Sequence, residues 1–540
     1  MKNVDRRTFL ATTGTALAAV ACAPSAMARS ADHDLVIRGG TVFDGMGTQG
    51  REMDVAVASG RIVEVGPRIS ARGREEIDAK GLAVAPGFVD IHSHGDGNLS
   101  DDPRDESVIR QGITTIVVGA DGSSRATGAE DRTFATYFDG LDRLHAGPNV
   151  ASMVGLGSVR GAVVGDKDRP ATADELRRMT AMVERALADG ACGASSGLEY
   201  TPGAFASTEE LITLCRPLAS RRLPYATHMR NEDDRLLESI DESLAVARGA
   251  GCPLQVSHLK TQGPRNWPKL DVVFKRFADA RAAGVDAAFD WYPYVAYSTG
   301  LTNLFPVWSR DGGTEGFFAR LNDTSVAPRI KQEALAKVEL IGGWDNVQIS
   351  SVRAVEDRDA EGKRLGSYAK ARGVDPYEYT LGLLKRSNAN VGMLGFAMSE
   401  ESLDRILAHP LAMVCSDGGG FAIDGPTRRG SPHPRGIGAF PRVLGRYVRE
   451  RKAVTLPDAI MKMTSRSAAR VRLADRGRVA RGFAADITVF DPARVADTAT
   501  FESPFQYPVG INVVIVNGVV ALRDGQRGAV GTGRALRVRA

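Results

Sequence analysis

Two histidines, His92 and His94, stand two residues apart at the end of the apolar run 88–91. Alternate residues of a strand point to the same side, so both imidazoles would project together and could bind one cation. Histidine nitrogen is a common ligand of zinc and related divalent metals. The pair therefore predicts a metal site, but such pairs also arise by chance and need support from elsewhere in the chain.

Two further histidines, His228 and His258, each follow a short apolar run. They lie about one strand–helix unit apart, since such a unit takes roughly 30 residues. A single histidine near a core is most often a hydrogen-bonded core residue. The chain has only eight histidines, however, and four of them at the ends of apolar runs are better explained by one shared metal site.

Asp417 ends the run 411–416 and is followed by three glycines. An Asp before Gly is most often a turn residue. At a strand end near metal-binding histidines, its carboxylate can instead contact the metal and accept a proton from the attacking water. We therefore predict that Asp417 is both a metal ligand and the general base of a hydrolase.

The elements that must position these residues alternate between apolar, strand-like runs and helical stretches such as 172–188, 236–250 and 270–283. This alternation is typical of a parallel sheet in an α/β fold. Catalytic groups of barrels cluster at the carboxyl ends of the strands. Because the candidate residues end their apolar runs and no GxGxxG stands at a strand-to-helix junction, a (β/α)8 TIM-type barrel is favoured over an open doubly wound sheet.

Short β-rich runs separated by glycine turns stand near both ends of the chain, at 34–66 and 485–520. They predict a small, antiparallel sheet to which both termini contribute. Residues 301–347 are rich in Trp, Phe and Gly and interrupt the strand–helix alternation. We interpret them as an inserted lid, although surface elaboration without a catalytic role would give the same pattern.

The composition limits the class of protein. The chain has 540 residues, of which 43% are hydrophobic, and this length suits one large domain and a smaller one. The 69 Lys and Arg residues nearly balance the 65 Asp and Glu residues. Without a basic block, a nucleic-acid-binding surface is not expected and a small-molecule substrate is favoured. Beyond the N-terminal segment the cysteines show no CxxC spacing and are interpreted as buried hydrophobic residues.

Residues 1–29 have the pattern of a targeting segment. Arg6 and Arg7 precede a short apolar stretch that is interrupted by Thr and Gly and ends at Ala28. This pattern is typical of a cleaved twin-arginine signal peptide, so we expect export to the periplasm without a stable membrane span. Lipoprotein anchoring at Cys22 is the alternative.

With these residues in place, the chain resembles the D-aminoacylase (N-acyl-D-amino-acid deacylase) family of the amidohydrolase superfamily. The resemblance covers nearly all of the chain after the signal and rests on these motifs: Pro86-Gly-Phe-Val-Asp-Ile-His-Ser-His, Ser195-Ser-Gly-Leu-Glu-Tyr, Thr227-His-Met-Arg-Asn-Glu, Val256-Ser-His-Leu-Lys, Tyr292-Pro-Tyr, Cys415-Ser-Asp-Gly, His433-Pro-Arg and Gly482-Phe-Ala-Ala-Asp-Ile-Thr-Val-Phe-Asp-Pro. It implies hydrolysis of N-acyl-D-amino acids to a carboxylic acid and an amino acid, with zinc as the usual metal. It also implies a (β/α)8 barrel, placed at 86–475, beside a small β-sandwich formed by 30–85 and 476–540.

The resemblance assigns two pairs of metal-binding histidines and a base: His92 with His94, His228 with His258, and Asp417. It matches three further residues to positions that hold the carboxylate of the substrate: Tyr292, Ser298 and Arg435. For Arg435 the physical argument agrees, because a planar guanidinium binds a carboxylate through two parallel hydrogen bonds.

Two positions depart from the family pattern. Where relatives place a bridging cysteine, this chain has Asp121, so a hard carboxylate replaces a soft thiolate. We expect Asp121 to bridge two divalent metals with a weaker preference for zinc, so that Co2+ or Mn2+ could serve. Leu156 replaces a family histidine, which indicates a substrate preference that has moved away from simple N-acetyl-D-amino acids.

Three alternatives stay open from the sequence. One is a dipeptidase that acts on D-configured or unusual dipeptides, and another is a cyclic-amide hydrolase. The latter class usually bridges its metals with a carboxylated lysine, whereas this chain has Asp121 at that position. The third is a binding or scaffold protein that has lost catalysis, and the intact set of predicted ligands argues against it.

Overall fold

The computed structural model describes residues 32–128, 131–528 and 531–539. The predicted twin-arginine signal at 1–29, with Cys22, lies outside these residues. Within the described ranges, none of the helices combines the length and the apolar composition that a membrane crossing requires. The cysteines at 192, 215, 252 and 415 are buried and free, as predicted.

The described chain contains strands and α-helices in the following order of residue number. The strands are β1 (His33–Val42), β2 (Arg51–Ala58), β3 (Arg61–Gly66), β4 (Gly73–Asp78), β5 (Ala83–Pro86), β6 (Phe88–Asp90), β7 (Ile113–Val118), β8 (Asn149–Ser152), β9 (Val154–Gly155), β10 (Ala194–Gly197), β11 (Tyr225–His228), β12 (Leu254–Val256), β13 (Ala287–Trp291), β14 (Ala296–Gly300), β15 (Val347–Val352), β16 (Val391–Phe396), β17 (Ala412–Val414), β18 (Ile487–Phe490), β19 (Ile511–Val516), β20 (Val519–Arg523) and β21 (Gln526–Arg527). The α-helices are α1 (Glu106–Arg110), α2 (Phe134–Leu144), α3 (Leu156–Val163), α4 (Ala173–Asp189), α5 (Thr208–Ala219), α6 (Leu236–Ala250), α7 (Leu270–Ala282), α8 (Gly313–Asn322), α9 (Ala327–Leu340), α10 (Leu365–Ala371), α11 (Pro376–Arg386), α12 (Glu400–Ala408), α13 (Arg435–Arg442), α14 (Leu456–Met463) and α15 (Ser465–Arg470).

Local sequence sets the boundaries of the helices. Helix α4 begins after Thr172, whose side chain accepts a hydrogen bond from the backbone of Glu175 while the Glu175 side chain binds back to the backbone of Thr172. This capping box satisfies two of the free amides at the helix start. The helix ends at Asp189, and the next residue, Gly190, has a φ of 114°, a conformation that residues other than glycine disfavour. The predicted helix at 172–188 is thus confirmed to within one residue.

Strands from both ends of the chain share one nine-stranded sheet, in the order β21-β20-β19-β18-β5-β1-β2-β3 with β4 beside β1. Strand β18 pairs with β5 in antiparallel register, with Ile487 opposite Pro86, and this pairing joins the two terminal segments. Strand β1, however, runs parallel to both β4 and β5. The sheet is therefore mixed, and the prediction of a purely antiparallel sheet was wrong.

The central part of the chain forms two parallel ladders, β6-β7-β8 and β9-β10-β11-β12-β13-β17. Only Met153 separates β8 from β9, so the two ladders share one continuous stretch of chain. At the opposite ends of the ladders, Asp417 donates its backbone amide to the His92 carbonyl, and His94 donates to the Gly418 carbonyl. Helices α4, α5, α6 and α7 connect successive strands from β9 to β13, which makes the fold α/β.

An insertion between β13 and β17 carries a three-stranded antiparallel sheet in the order β14-β16-β15. Helices α8 and α9 lie within the segment 301–347 that the sequence marked as irregular. That segment is mostly helical because α9 has the spacing of an amphipathic helix, with Ile330, Ala334 and Val338 buried on one side. The inserted region extends further than predicted, to the end of β16 at Phe396.

Candidate metal centre

The predicted ligands all lie at or directly after the carboxyl ends of parallel strands. His92 and His94 follow β6, Asp121 follows β7, His228 ends β11, His258 follows β12 and Asp417 follows β17. Because parallel strands present these ends to the same side of a sheet, residues far apart in sequence converge there. Five of the six line one cavity. The sixth, His92, is almost fully buried and does not line it.

Asp121 lies between two groups of possible ligand atoms. The first group contains His92, His94, Asp121 and Asp417, and the second contains Asp121, His228 and His258, with the ligand atoms of each group within 4.8 Å of one another. Asp121 Oδ2 lies 3.3 Å from His92 Nε2. Its other oxygen, Oδ1, lies 3.4 Å from His258 Nε2. One carboxylate thus faces both groups, with a different oxygen toward each.

The donor atoms of both groups fit divalent metals. His92 Nε2 and Asp121 Oδ1 are buried, and neither makes a hydrogen bond to any group that the structure describes. Buried polar atoms are normally paired, so these atoms require a partner that the protein itself does not provide. In the second group, His228 Nδ1 lies 3.0 Å from His258 Nε2. Imidazole nitrogens and carboxylate oxygens arranged in this way match the ligand preferences of zinc, cobalt and manganese.

Three of the predicted residues have backbone conformations in the left-handed region. The φ angles are 51° for Asp121, 36° for His258 and 50° for Asp417. Such conformations are uncommon for residues other than glycine and concentrate at functional sites. Each one redirects a side chain at the end of its strand toward the shared centre, which regular strand geometry would not do.

Opposite charges at the centre shift several pKa values. Burial by itself would lower the pKa of His94, but hydrogen bonds to Asp121 and Asp417 raise it to about 9. Burial would raise the pKa of Asp121, yet His92 and His258 hold it well below its ordinary value. The carboxylates are therefore ionised at neutral pH, the state in which they bind metal.

Behind the histidines lie buried carboxylates that sequence reasoning missed. His92 Nδ1 is 3.4 Å from Asp290 Oδ1, His258 Nδ1 is 3.2 Å from Glu232 Oε1, and His228 Nε2 is 3.5 Å from Glu199 Oε2. Metal-binding histidines commonly donate their second ring nitrogen to such a carboxylate, which orients the ring. Glu199 lies within the motif Ser195-Ser-Gly-Leu-Glu-Tyr and Glu232 ends the motif Thr227-His-Met-Arg-Asn-Glu, so a signal for both was present in the sequence.

Lys260 contacts the same outer layer. Its Nζ lies 2.8 Å from Glu232 Oε1 and 2.7 Å from His258 Nδ1. The same ammonium lies 5.7 Å from the centre of the Tyr292 ring. Lys260 therefore places a positive charge in the wall of the cavity between the second ligand group and Tyr292.

The three residues matched to a carboxylate-binding role lie in the cavity that contains the centre. Arg435, Tyr292 and Ser298 line it, and its volume is about 700 Å3. Arg435 Nη1 lies 2.6 Å from Asp417 Oδ2, and its Cζ lies 4.7 Å from the centre of the Tyr292 ring. Ser298 stands on β14, in the inserted sheet. Leu156, by contrast, is buried at the start of α3 and lies outside the described lining of the cavity.

Comparisons with known proteins show what the chain is similar to. The family model described as "Amidohydrolase family" matches residues 75–394 and 410–522. The chain is 36% identical to a D-aminoacylase from Alcaligenes xylosoxydans xylosoxydans over 91% of its own length and 94% of that protein's. The crystal structure of N-acyl-D-glutamate deacylase from Bordetella bronchiseptica, complexed with zinc and a phosphonate inhibitor, superimposes with a TM-score of 0.81 at 35% identity and covers 94% of this chain and 99% of the other. A D-aminoacylase structure concerned with the role of its binuclear metal centre matches with a TM-score of 0.79 at 34% identity, covering 94% and 100% of the two chains.

Proposed function

Because the chain belongs to the amidohydrolase family, we propose that it is a metal-dependent hydrolase that cleaves N-acyl-D-amino acids to a carboxylic acid and a D-amino acid. The observation that carries this function is the pair of ligand groups that share Asp121 in the cavity lined by Arg435 and Tyr292. The similarity to D-aminoacylase over nearly the full length of both chains supports the same reaction. A centre with both sets of donors in place also argues against a scaffold protein without activity.

We propose that His92, His94 and Asp417 would hold one divalent metal and that His228 and His258 would hold a second, with the Asp121 carboxylate contributing to both groups. Zinc is the expected metal, and Co2+ or Mn2+ also suits a site whose bridge is a carboxylate. When bound, such metals polarise the scissile carbonyl and lower the pKa of the attacking water. The chain's own residues then have to orient the substrate and move the proton.

Asp417 carries the proton in this mechanism. Its carboxylate accepts the proton of the attacking water as the new carbon–oxygen bond forms, and it delivers that proton to the amide nitrogen as the carbon–nitrogen bond breaks. Arg435, Tyr292 and Ser298 would bind the carboxylate of the substrate and so hold the scissile amide in the cavity that Asp417 also lines. The departing group leaves as a neutral amine, and Asp417 returns to its ionised form.

We also propose that the two parallel ladders form a single (β/α)8 TIM-type barrel within 86–475. The backbone hydrogen bonds between the residues that follow β6 and β17, together with the continuity of β8 and β9, support closure. A small β-sandwich at 30–85 and 476–540 would then pack beside the barrel, with 301–347 as a lid over its mouth. Residues 1–29 would direct export to the periplasm, which fractionation of cells expressing the Arg6→Lys, Arg7→Lys variant tests by loss of the exported form.

A substrate screen tests the proposed function. Purified protein loaded with zinc, cobalt or manganese is assayed on N-acetyl-D- and N-acetyl-L-amino acids, on dipeptides with a D-residue and on hydantoins. We expect turnover of N-acetyl-D-amino acids and at least a 100-fold preference over the L-forms. Preference for the L-forms would remove the D-specific assignment, and preference for dipeptides or hydantoins would favour the corresponding alternative hydrolase.

A further inference from the structure

The cavity that contains the metal centre, here called the inner chamber, continues into a second one. This outer chamber has a volume of about 550 Å3. The two chambers have six lining residues in common: Tyr200, Thr201, Thr299, Gly300, Ser351 and Gly392. Shared walls on this scale make the chambers one continuous groove, which is longer than an N-acetyl amino acid requires.

The outer chamber is walled mainly by polar side chains. Threonines 201, 299, 302 and 314 line it together with Asn388 and Asn390, against few apolar side chains such as Phe317 and Val391. In the described part of the chain, the side chains of Thr302, Asn388 and Asn390 make no hydrogen bond to other protein groups. Hydroxyl and amide groups that are free to donate and accept match a ligand with peptide groups better than a hydrocarbon chain.

The charges on the wall favour an uncharged ligand. Arg310 and Asp166 both line the outer chamber, so it contains one cation and one anion. Arg310 Nη2 donates a hydrogen bond to the Glu199 carbonyl, while its buried Nε makes no hydrogen bond to the groups that the structure describes. Neither sign of charge dominates, and a charged distal group would gain little.

The position of the outer chamber indicates which part of the substrate enters it. The cationic groups Arg435 and Lys260 line only the inner chamber, so the carboxylate of the substrate binds away from the outer one. In an extended N-acyl amino acid, the carboxylate and the acyl chain lie at opposite ends, with the scissile amide between them. The acyl chain is therefore the part that reaches past Thr299 and Gly300 into the outer chamber.

We propose that the outer chamber binds a long, uncharged and polar acyl group, namely a short peptidyl group whose own N-terminus is acylated, so that the preferred substrates are N-acylpeptidyl-D-amino acids. This inference rests on the proposed function, since it specifies the acyl group of the same reaction. Hydrogen bonds from the polar wall would hold the peptide groups and align the scissile amide.

A series of acyl groups on one D-amino acid tests the proposal. The D-amino acid is the one whose N-acetyl derivative has the highest kcat/KM in the substrate screen. Three derivatives of it are compared: N-acetyl, N-octanoyl and N-(acetylglycylglycyl). The last two acyl groups have similar lengths. We expect kcat/KM to be at least 10-fold higher for the peptidyl than for the acetyl derivative and to exceed that of the octanoyl derivative. Equal values for peptidyl and acetyl, or a higher value for octanoyl, would overturn the proposal.

Two variants locate the effect in the outer chamber. Thr314 lines only the outer chamber, so Thr314→Trp should lower the ratio of peptidyl to acetyl kcat/KM at least 5-fold. Its exposed neighbour on α8, Glu315, lines neither chamber, so Glu315→Trp is the matched control and should leave the ratio unchanged. Gly300→Leu narrows the junction without backbone strain, because φ is −75° and an added Cβ would meet only Thr302 Oγ1 at 3.6 Å and Val391 O at 3.9 Å. We expect the same fall in the ratio for this variant.

The outcomes separate this inference from the proposed function. If no N-acyl-D-amino acid is hydrolysed under any metal condition, the proposed function fails. The assignment of the outer chamber alone fails if the acetyl derivative is hydrolysed but the peptidyl derivative has the same kcat/KM and Thr314→Trp leaves the ratio of the two values unchanged.

Discussion

Arg435 Nη1 lies 2.6 Å from Asp417 Oδ2, while the other carboxylate oxygen of Asp417 lies 3.1 Å from His94 Nε2. Both side chains of the Arg435–Asp417 pair are about 95% buried. Burial would raise the pKa of Asp417, but Arg435 and the nearby histidines hold it well below its ordinary value. The carboxylate is therefore ionised at neutral pH, with one oxygen directed to the guanidinium of Arg435 and the other to His94.

Substitution of Asp417 by Asn should abolish proton transfer while conserving the shape of the side chain. We expect kcat to fall about 1,000-fold, which is within the range for loss of a general base, while most of the bound metal is retained. Steady-state kinetics and elemental analysis of the purified variant measure both quantities. Retention of most activity would remove Asp417 from this role.

Substitution of Arg435 by Met should weaken binding of the substrate's carboxylate. The loss of a buried, charged partner costs about 3 kcal/mol, so we expect kcat/KM for an N-acetyl-D-amino acid to fall roughly 100-fold. The corresponding amino-acid amide, which has no carboxylate, should lose much less. Arg428→Met, at an arginine outside the cavity lining, is the control. An equal loss on both substrates would mean that Arg435 acts only by orienting Asp417.

Substitution of Asp121 should change the metal stoichiometry. Because its two oxygens face different ligand groups, Asp121→Ala should bind about one metal ion fewer per chain than the parent protein. Asp121→Cys should restore the second ion and add a sulfur-to-cobalt absorption band in the cobalt-loaded protein, since a thiolate is a soft ligand. Elemental analysis and absorption spectroscopy test this. Unchanged stoichiometry in Asp121→Ala would show that Asp121 is not the bridge.

Asp290 contacts one residue of each candidate ligand group. One of its oxygens, Oδ1, lies 3.4 Å from His92 Nδ1 and accepts a 2.7 Å hydrogen bond from the backbone amide of His258. Asp290→Asn should therefore lower metal affinity roughly 10- to 100-fold, the range for loss of such a supporting carboxylate. Competition with a chelator measures the affinity. Asp271→Asn, at an exposed ion pair with Arg405, should leave it unchanged.

The sequence indicated the candidate ligands more fully than the carboxylates that lie behind them. His92 and His94 could be found because strand periodicity and the position at a strand end both follow from local sequence. Asp290 could not, because its contact with His92 depends on which strands become neighbours and on the exact direction of each side chain. The left-handed backbone of His258 was equally hidden, since only a small fraction of residues other than glycine adopt it and the local sequence does not indicate which ones.

The fold shows the same division between local and long-range information. Helices α4, α6 and α7 were predicted to within one residue or so, because their apolar spacing and caps are local signals. The parallel pairing of β1 with β4 and β5 was missed, because a β-rich run looks the same whichever way its partner runs. The extent of the insertion to Phe396 was also missed, since β15 and β16 resemble further strands of the strand–helix alternation.

Lys337 on α9 should be a determinant of stability near the site. Its Nζ lies 2.6 Å from Asp233 Oδ2, and although burial would raise the pKa of Glu199, Lys337 and His228 hold it at about 2. A depressed carboxyl pKa stabilises the folded state above the ordinary pKa, and this stabilisation is lost as the pH falls toward 2. In Lys337→Met the buried carboxylates lose their cation, so we expect a loss of about 3 kcal/mol at pH 7 and a clearly smaller loss at pH 4, where Glu199 can take up a proton. Urea unfolding at both pH values measures this. The control Lys331→Met removes an exposed ion pair on the same helix and should lower the free energy of unfolding by less than about 1 kcal/mol at either pH. If Lys337→Met lowered the free energy of unfolding equally at pH 4 and pH 7, electrostatic support of Glu199 would be excluded.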